Sequence, residues 1–208
     1  MAPSSFFRDV PGGDPLTVDG AAHVVAPWAG PPWDVRPGVV ALTAELGRSA
    51  STVVLVEGAR AYPEGVVLRL AVCVRETGRE ARRRLFAELD VTHGRGQLDL
   101  ALPVGGLRWG VELSDGRQAT TLDESPWVTI PDGVEPGGWV PPHPFLDGIG
   151  RPTVHGGTWS RDVWLWPLPP PGPLLLMCAW PDRDVDETAT TIDSAPLLAA
   201  AAQARPLW

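Results

Sequence analysis

Apolar positions in this chain recur mostly with a period of two, in short runs punctuated by glycine and proline, which is the rhythm of strands. Residues 66–75 show it most clearly: Val66, Leu68, Leu70, Val72 and Val74 share one face, while Arg69, Cys73 and Arg75 share the other. Residues 39–46 and 52–61 are β-branched and apolar, broken by Gly47-Arg48-Ser49, and Tyr62-Pro63-Glu64-Gly65 forms the turn into 66–75. In 107–122, Leu107, Trp109, Val111 and Leu113 alternate with Arg108, Gly110, Glu112 and Ser114, and Asp115-Gly116 closes a tight hairpin. The heaviest stretch is 159–180, WSRDVWLWPLPPPGPLLLMCAW, where runs 163–168 and 174–180 flank a separator of prolines and glycine. That separator cannot carry a helix, so the pattern predicts a hairpin of two paired strands. Both faces of each run are apolar, so something must cover each side.

Helical spacing is confined to two places. Residues 79–89 put Leu85, Phe86 and Leu89 on one patch, and a second helix starts after Asp193 or Ser194, with Pro196 in its first turn and Leu197, Leu198 and Ala201 in a stripe. Residues 97–102 could add a strand, and 187–192 an edge strand. Between 123 and 158 there is no sustained periodicity, only tryptophans and histidines among glycine and proline. A loop of that length in a compact domain is functional or disordered. The expected fold is therefore mainly all-β: a single antiparallel β-sandwich of roughly eight strands, immunoglobulin-like in general architecture, with a short connecting helix and a C-terminal helix. Residues 1–37 read as a Pro/Gly-rich extension, disordered to about residue 20 and docked as an irregular strap beyond it. Residues 38–208 read as the sandwich domain with its helix.

Length and charge narrow the function classes. A chain of 208 residues can bury a full core without metal or disulfide staples. Lysine is absent, all seventeen basic residues are arginine, and the formal charge is -8, which argues against nucleic-acid binding. The basic cluster Arg75, Arg79, Arg82, Arg83 and Arg84 is interrupted by Glu76 and Glu80 and reads as a solvated face. Two distant cysteines, Cys73 and Cys178, make no disulfide framework. The first fifteen residues lack the pattern of a secretory signal, and no apolar stretch approaches the length of a membrane span. The expectation is a cytoplasmic protein with reduced thiols, no membrane and no cofactor.

Candidate chemistry is thin. The run 182–187, DRDVDE, opens like a calcium loop, but Glu187 stands where the loop needs glycine and Asp193 where it needs a bidentate glutamate. Ser160, His155 and Asp162 include the residue types of a hydrolytic triad without the glycines of a nucleophile elbow. His23, His93, His143 and His155 read as loop residues with no metal-ligand spacing. The ten tryptophans are the strongest feature. Trp164, Trp166 and Trp180 belong in the core, whereas Trp127, Trp139 and Trp159, with His143 and His155 beside them in the loops, are the candidate partner- or ligand-binding residues.

Three features together, LRWGVELSDGRQAT at 107–120, LWPLPPPGPLLLMCAWP at 165–181 and a closing helix ending in Leu207-Trp208, resemble a family of small β-sandwich proteins from high-GC bacteria. The resemblance spans about residues 39–208. It implies the sandwich fold and brings no catalytic residues or activity. The functional expectation is a non-catalytic module that binds a protein partner or a second copy of itself. A carbohydrate or small-ligand module built on loop tryptophans is the alternative, and a hydrolase comes third.

Overall fold

The computed structural model describes residues 26–76, 78–93 and 103–208. In chain order the elements are β1 (Val35–Arg36), β2 (Gly38–Arg48), β3 (Thr52–Ala61), β4 (Val66–Val74), α1 (Arg79–Thr92), β5 (Arg108–Glu112), β6 (Gln118–Thr120), β7 (Phe145–His155), β8 (Thr158–Trp166), β9 (Pro173–Trp180), β10 (Val185–Asp193), α2 (Ala195–Ala201) and β11 (Arg205–Pro206). They build a β-sandwich: a five-stranded sheet in the order β2-β3-β4-β8-β7 faces a four-stranded sheet in the order β10-β9-β5-β6, and β1 and β11 form a separate two-stranded ribbon. Every pairing is antiparallel. The proposed strand at 97–102 lies outside the described residues.

The alternation in β4 does what its sequence demands. Val66, Leu68, Leu70 and Val72 are fully buried in the inter-sheet core, alongside Val54 and Val56 of β3, Trp109 and Val111 of β5, and Leu174 and Leu176 of β9. Burying a side chain of this kind is worth about 1.5–3 kcal/mol, so this layer is the main source of stability. Between β3 and β4 the register shifts at Val56/Ala59, where Gly58 sits at φ 94°, so a glycine supplies the left-handed residue of the bulge. At the start of β2, α2 packs so closely that a Cβ on Gly38 would lie 2.0 Å from the Ala200 carbonyl oxygen.

The expected hairpin over 163–180 is not formed. β8 pairs with β4 and β7 in one sheet, while β9 pairs with β5 and β10 in the other, so the segment between them arches from sheet to sheet. Packed sheets stand about 10 Å apart, a span six residues cover easily. The prolines have no N–H to satisfy but keep their carbonyls, and two serines donate to these. Ser194 Oγ reaches Pro170 O and Ser114 Oγ reaches Pro171 O, each at 2.8 Å. Leu168 N–H closes the other end on Glu64 O at 2.8 Å.

The apolar character of both β8 faces is nonetheless real, and the two sides have different covers. Trp159, Val163 and Leu165 point into the inter-sheet core. Trp164 and Trp166 point outward into a second apolar layer made with Trp28, Tyr62, Val67 and Phe145. This layer is roofed by residues 26–30 and by the segment carrying Trp127, Ile130 and Trp139. Two indole hydrogen bonds tie it down: Trp164 Nε1 donates to Trp28 O, and Trp28 Nε1 to Trp139 O, both at 2.8 Å. The stretch 123–158 is thus no single loop. Its second half is β7, an edge strand whose register slips between Ile149 and Thr153.

The helices fall where the spacing put them. α1 buries Phe86 and Leu89 and leaves Arg79, Arg83 and Arg84 exposed. Ser194 occupies the N-cap of α2 but spends its hydroxyl on the arch, and Asp193 Oδ1 accepts instead from Ala195 N–H at 2.9 Å. The edge strand β10 runs beside β2, where Thr188 Oγ1 and Thr190 Oγ1 donate to the carbonyls of Leu46 and Glu45. Both cysteines are free, and they sit in opposite sheets. No helix among the described residues is long and apolar enough to cross a membrane.

Candidate functional site

The sequence-predicted site residues do not come together. Trp159 is a core residue of β8, fully buried, with its Nε1 donating to Asp90 Oδ1 of α1, so its expected place in a loop is corrected. Trp127 and Trp139 both lean on Trp28, with ring centroids 4.7 and 5.3 Å away, and act as the roof of the outer apolar layer. His155 ends β7 in an exposed position. His143 lies exposed in a proline-rich groove of about 490 Å³ together with Asp123, Glu124 and Thr129. Its ring makes no hydrogen bond among the described residues, whereas acid–base chemistry needs a partner within hydrogen-bond reach.

The remaining triad candidates are committed elsewhere. Asp162 accepts from Arg60 Nη2 at 2.8 Å and Arg69 Nη1 at 3.1 Å, and Ser160 Oγ accepts from Arg69 Nη2 at 2.8 Å. This is a polar brace on the outer face of the five-stranded sheet. No group of three or more metal-ligating side chains occurs among the described residues, the 182–187 run included.

The most perturbed titratable group is His93, the residue that ends α1. Desolvation, reinforced by the charge of Arg161, pulls its pKa down from 6.5 to about 4. Thr92 Oγ1 donates to Glu88 O at 2.9 Å, which uses its only proton, so His93 Nδ1 must be the donor in its 2.8 Å contact with that hydroxyl. Nε2 is then a bare acceptor, and it has no partner among the described residues. Beside it Arg161 points from β8 into the interior, its Nη2 donating to Gly150 O at 3.1 Å and its Nε without a partner among the described residues. Burial lowers the Arg161 pKa, and the charges of Asp90 and Asp147 oppose that shift. The cluster is closed to solvent, with His93 and Arg161 at 5% and 6% exposure. Its consequence is for stability rather than turnover.

The surface offers one feature that burial does not explain. Of the ten tryptophans, five are buried and three half-buried, leaving Trp33 and Trp208 exposed at 71% and 80%. These two meet, with ring centroids 5.5 Å apart and planes tilted by 50°. What joins them is the β1–β11 ribbon. Val35 opposes Pro206, Arg36 opposes Arg205, and Leu207 N–H donates to Asp34 O at 2.8 Å. Continuing that register sets Trp33 against Trp208. The ribbon is positioned at both ends: Val35 packs against the outer apolar layer, and β11 follows directly from the turn that closes α2. Leu207, half exposed, extends the apolar surface. Spacing along the chain does not reveal this pair, because its members come from opposite ends of the sequence. The one available signal was the Pro-Pro-Trp-Asp stretch, where a tryptophan follows two prolines outside any alternating run.

A second, shallower groove of about 260 Å³ lies on the outer face of the four-stranded sheet, where Met177 and Ala179 lie among Arg108, Glu112 and Glu187. Its lining is mainly apolar, with Leu122 beside Met177, and its charges are of mixed sign. Comparisons with protein-family models, with curated proteins and with solved structures return no match to this chain.

Proposed function

We propose that this protein is a non-catalytic binding module that engages a protein partner through the Trp33–Trp208 pair, and that it works in the cytoplasm with both thiols free. The observation that carries the reading is the mutual contact of two strongly exposed indoles on a backbone-paired ribbon. Tryptophan exposed to this degree is unfavourable in water, and indoles held by paired backbone lose little further entropy on binding, which is why tryptophan is enriched among interface anchors. The 50° tilt gives a wedge rather than a flat platform, which favours an inserted side chain over a stacked sugar ring.

The test is affinity capture from the native cell with the wild-type chain and with a Trp33→Ser/Trp208→Ser variant of equal melting temperature. A stoichiometric companion held by the wild type and released by the variant supports the reading. A companion held equally by both overturns it. The carbohydrate alternative draws on the same two rings rather than on Trp127, Trp139 and Trp159. It requires a Trp33-dependent fluorescence change on adding glycans.

A further inference from the structure

Strand β9 is apolar on both sides, and only one of them is covered by the fold. Its inward row, Leu174, Leu176 and Cys178, fills the inter-sheet core, whereas its outward row, Leu175, Met177 and Ala179, belongs to neither apolar layer and stands half-buried. An antiparallel strand with one side in water normally alternates apolar with polar. The register extends this row across the sheet: Met177 lies between Gly110 of β5 and Ala189 of β10, and Gly110 lies beside Thr120 of β6. Gly110 has no side chain to fill the middle of the face, which opens the shallow groove of about 260 Å³ there. That volume is small for a ligand pocket.

We infer that this face is closed by a second copy of the chain, in an isologous dimer that packs the outer faces of two four-stranded sheets together. The charges select that occupant. Arg108 and Glu112 share the outer face of β5, one on either side of Gly110 and each about 7 Å from it. Neither has an oppositely charged partner among the described residues: the Arg108 guanidinium donates to Val104 O, and Glu112 Oε2 accepts from Gln118 Nε2 at 2.6 Å. A twofold axis lying in the interface and crossing the strands at Gly110 sets Arg108 of each copy over Glu112 of the other. Two ion pairs then form from charges that stand too far apart to pair within one chain. The same axis keeps the strands of the two sheets aligned, and it brings Met177 against its own counterpart beside the space left by both glycines, where a flexible thioether packs well. Glu187, on the edge strand β10, stays at the rim opposite Thr191 of the other copy. Four strands by five residues make a face of about 19 by 17 Å, and closing two of them together removes on the order of 1,000 Å² from water. That is the lower end of the range for specific association, so the dimer is reversible at micromolar concentration.

The experiment is sedimentation velocity of the full chain from low to high micromolar concentration, which should show a monomer–dimer equilibrium. Arg108→Glu and Glu112→Arg each set like charges over one another and should weaken the dimer at least about tenfold while leaving the melting curve unchanged. Mixed in equal amounts, the two variants should associate as the wild type does, because their charges complement each other across the interface, and the double variant Arg108→Glu/Glu112→Arg should dimerise alone for the same reason. Recovery in the mixture also shows that each single variant is folded. Trp33→Ser/Trp208→Ser should dimerise like the wild type, so this surface is tested separately from the tryptophan pair. A strict monomer at every concentration, single reversals that dimerise normally, a mixture that stays monomeric, or a dimer lost in the tryptophan variant overturns the inference.

Discussion

Lowering the pH from 7.5 to 5 should cost this protein about 2 kcal/mol through one side chain, His93, by proton linkage. In the fold the imidazole is held neutral: it is 5% exposed, donates from Nδ1 to Thr92 Oγ1, stands 6.2 Å from the Trp159 ring and faces the charge of Arg161. Its pKa falls from 6.5 to about 4, with desolvation the larger cause and Arg161 the second. The folded state therefore takes up a proton less readily than the unfolded chain. Stability from this group is complete above pH 6.5 and is lost progressively as pH falls through the interval down to about 4. The full span corresponds to about 3.4 kcal/mol at 1.36 kcal/mol per unit, of which about 2 kcal/mol is already gone at pH 5. Glu45 and Asp115, whose carboxyls are held below their usual range by hydrogen bonds from Arg48 and Arg117, respond only under more acidic conditions. Urea unfolding followed by tryptophan fluorescence at pH 7.5, 6.5, 5.5 and 5.0 measures the slope. The same series on His93→Gln, which keeps a neutral polar group beside Thr92, should flatten it. A wild-type protein equally stable at pH 7.5 and 5, or a variant with the wild-type slope, refutes the reasoning.

Other outcomes follow from the same geometry. Trp28→Ala empties the centre of the outer apolar layer and removes the donor to Trp139 O, and should lower unfolding free energy by about 3–5 kcal/mol, whereas Trp33→Ala should change it by less than about 0.5 kcal/mol in the same denaturation assay. Burial pushes the Cys178 thiol up to about 12 while Cys73 is half-exposed, so a thiol-reactive disulfide reagent at pH 8 should titrate one thiol in the native protein and two in denaturant. Gly38→Ala should weaken the docking of α2 on β2, since its methyl would meet backbone rather than a side chain able to turn aside; a melting temperature equal to that of the wild type would show that β2 and α2 are not packed in this way.

Much of the architecture was legible because it is written in local alternation. The strands β4 and β5, the Asp115-Gly116 turn and the apolar side of α1 all answer to patterns within ten or so residues. Pairing was harder to read. The runs at 163–168 and 174–180 demand extended chain, but a proline-rich separator fits a hairpin and an inter-sheet arch equally well, and the choice is made by β4 and β5, far away in sequence. The strand β7 was hidden because its outer half is exposed and carries Gly150 and Pro152 within a register slip, which erases its alternation. Trp159 read as a loop residue because Gly156-Gly157 precede it, yet those glycines make the tight turn between β7 and β8 and deliver Trp159 to the core. The exposed tryptophans could not be told from the buried ones by composition. Which indoles are covered depends on how residues 26–30 and 126–145 fold back over β8.

The central claim is that, of ten tryptophans, Trp33 and Trp208 are the two presented to a partner. Fluorine NMR of the 5-fluorotryptophan-labelled chain, titrated with a soluble paramagnetic agent and assigned with Trp33→Phe and Trp208→Phe, reads this directly. These two resonances should broaden first and most, with those of Trp28, Trp159, Trp164 and Trp180 unaffected. Equal or stronger broadening of Trp127 or Trp139, or protection of Trp33 and Trp208, would contradict it.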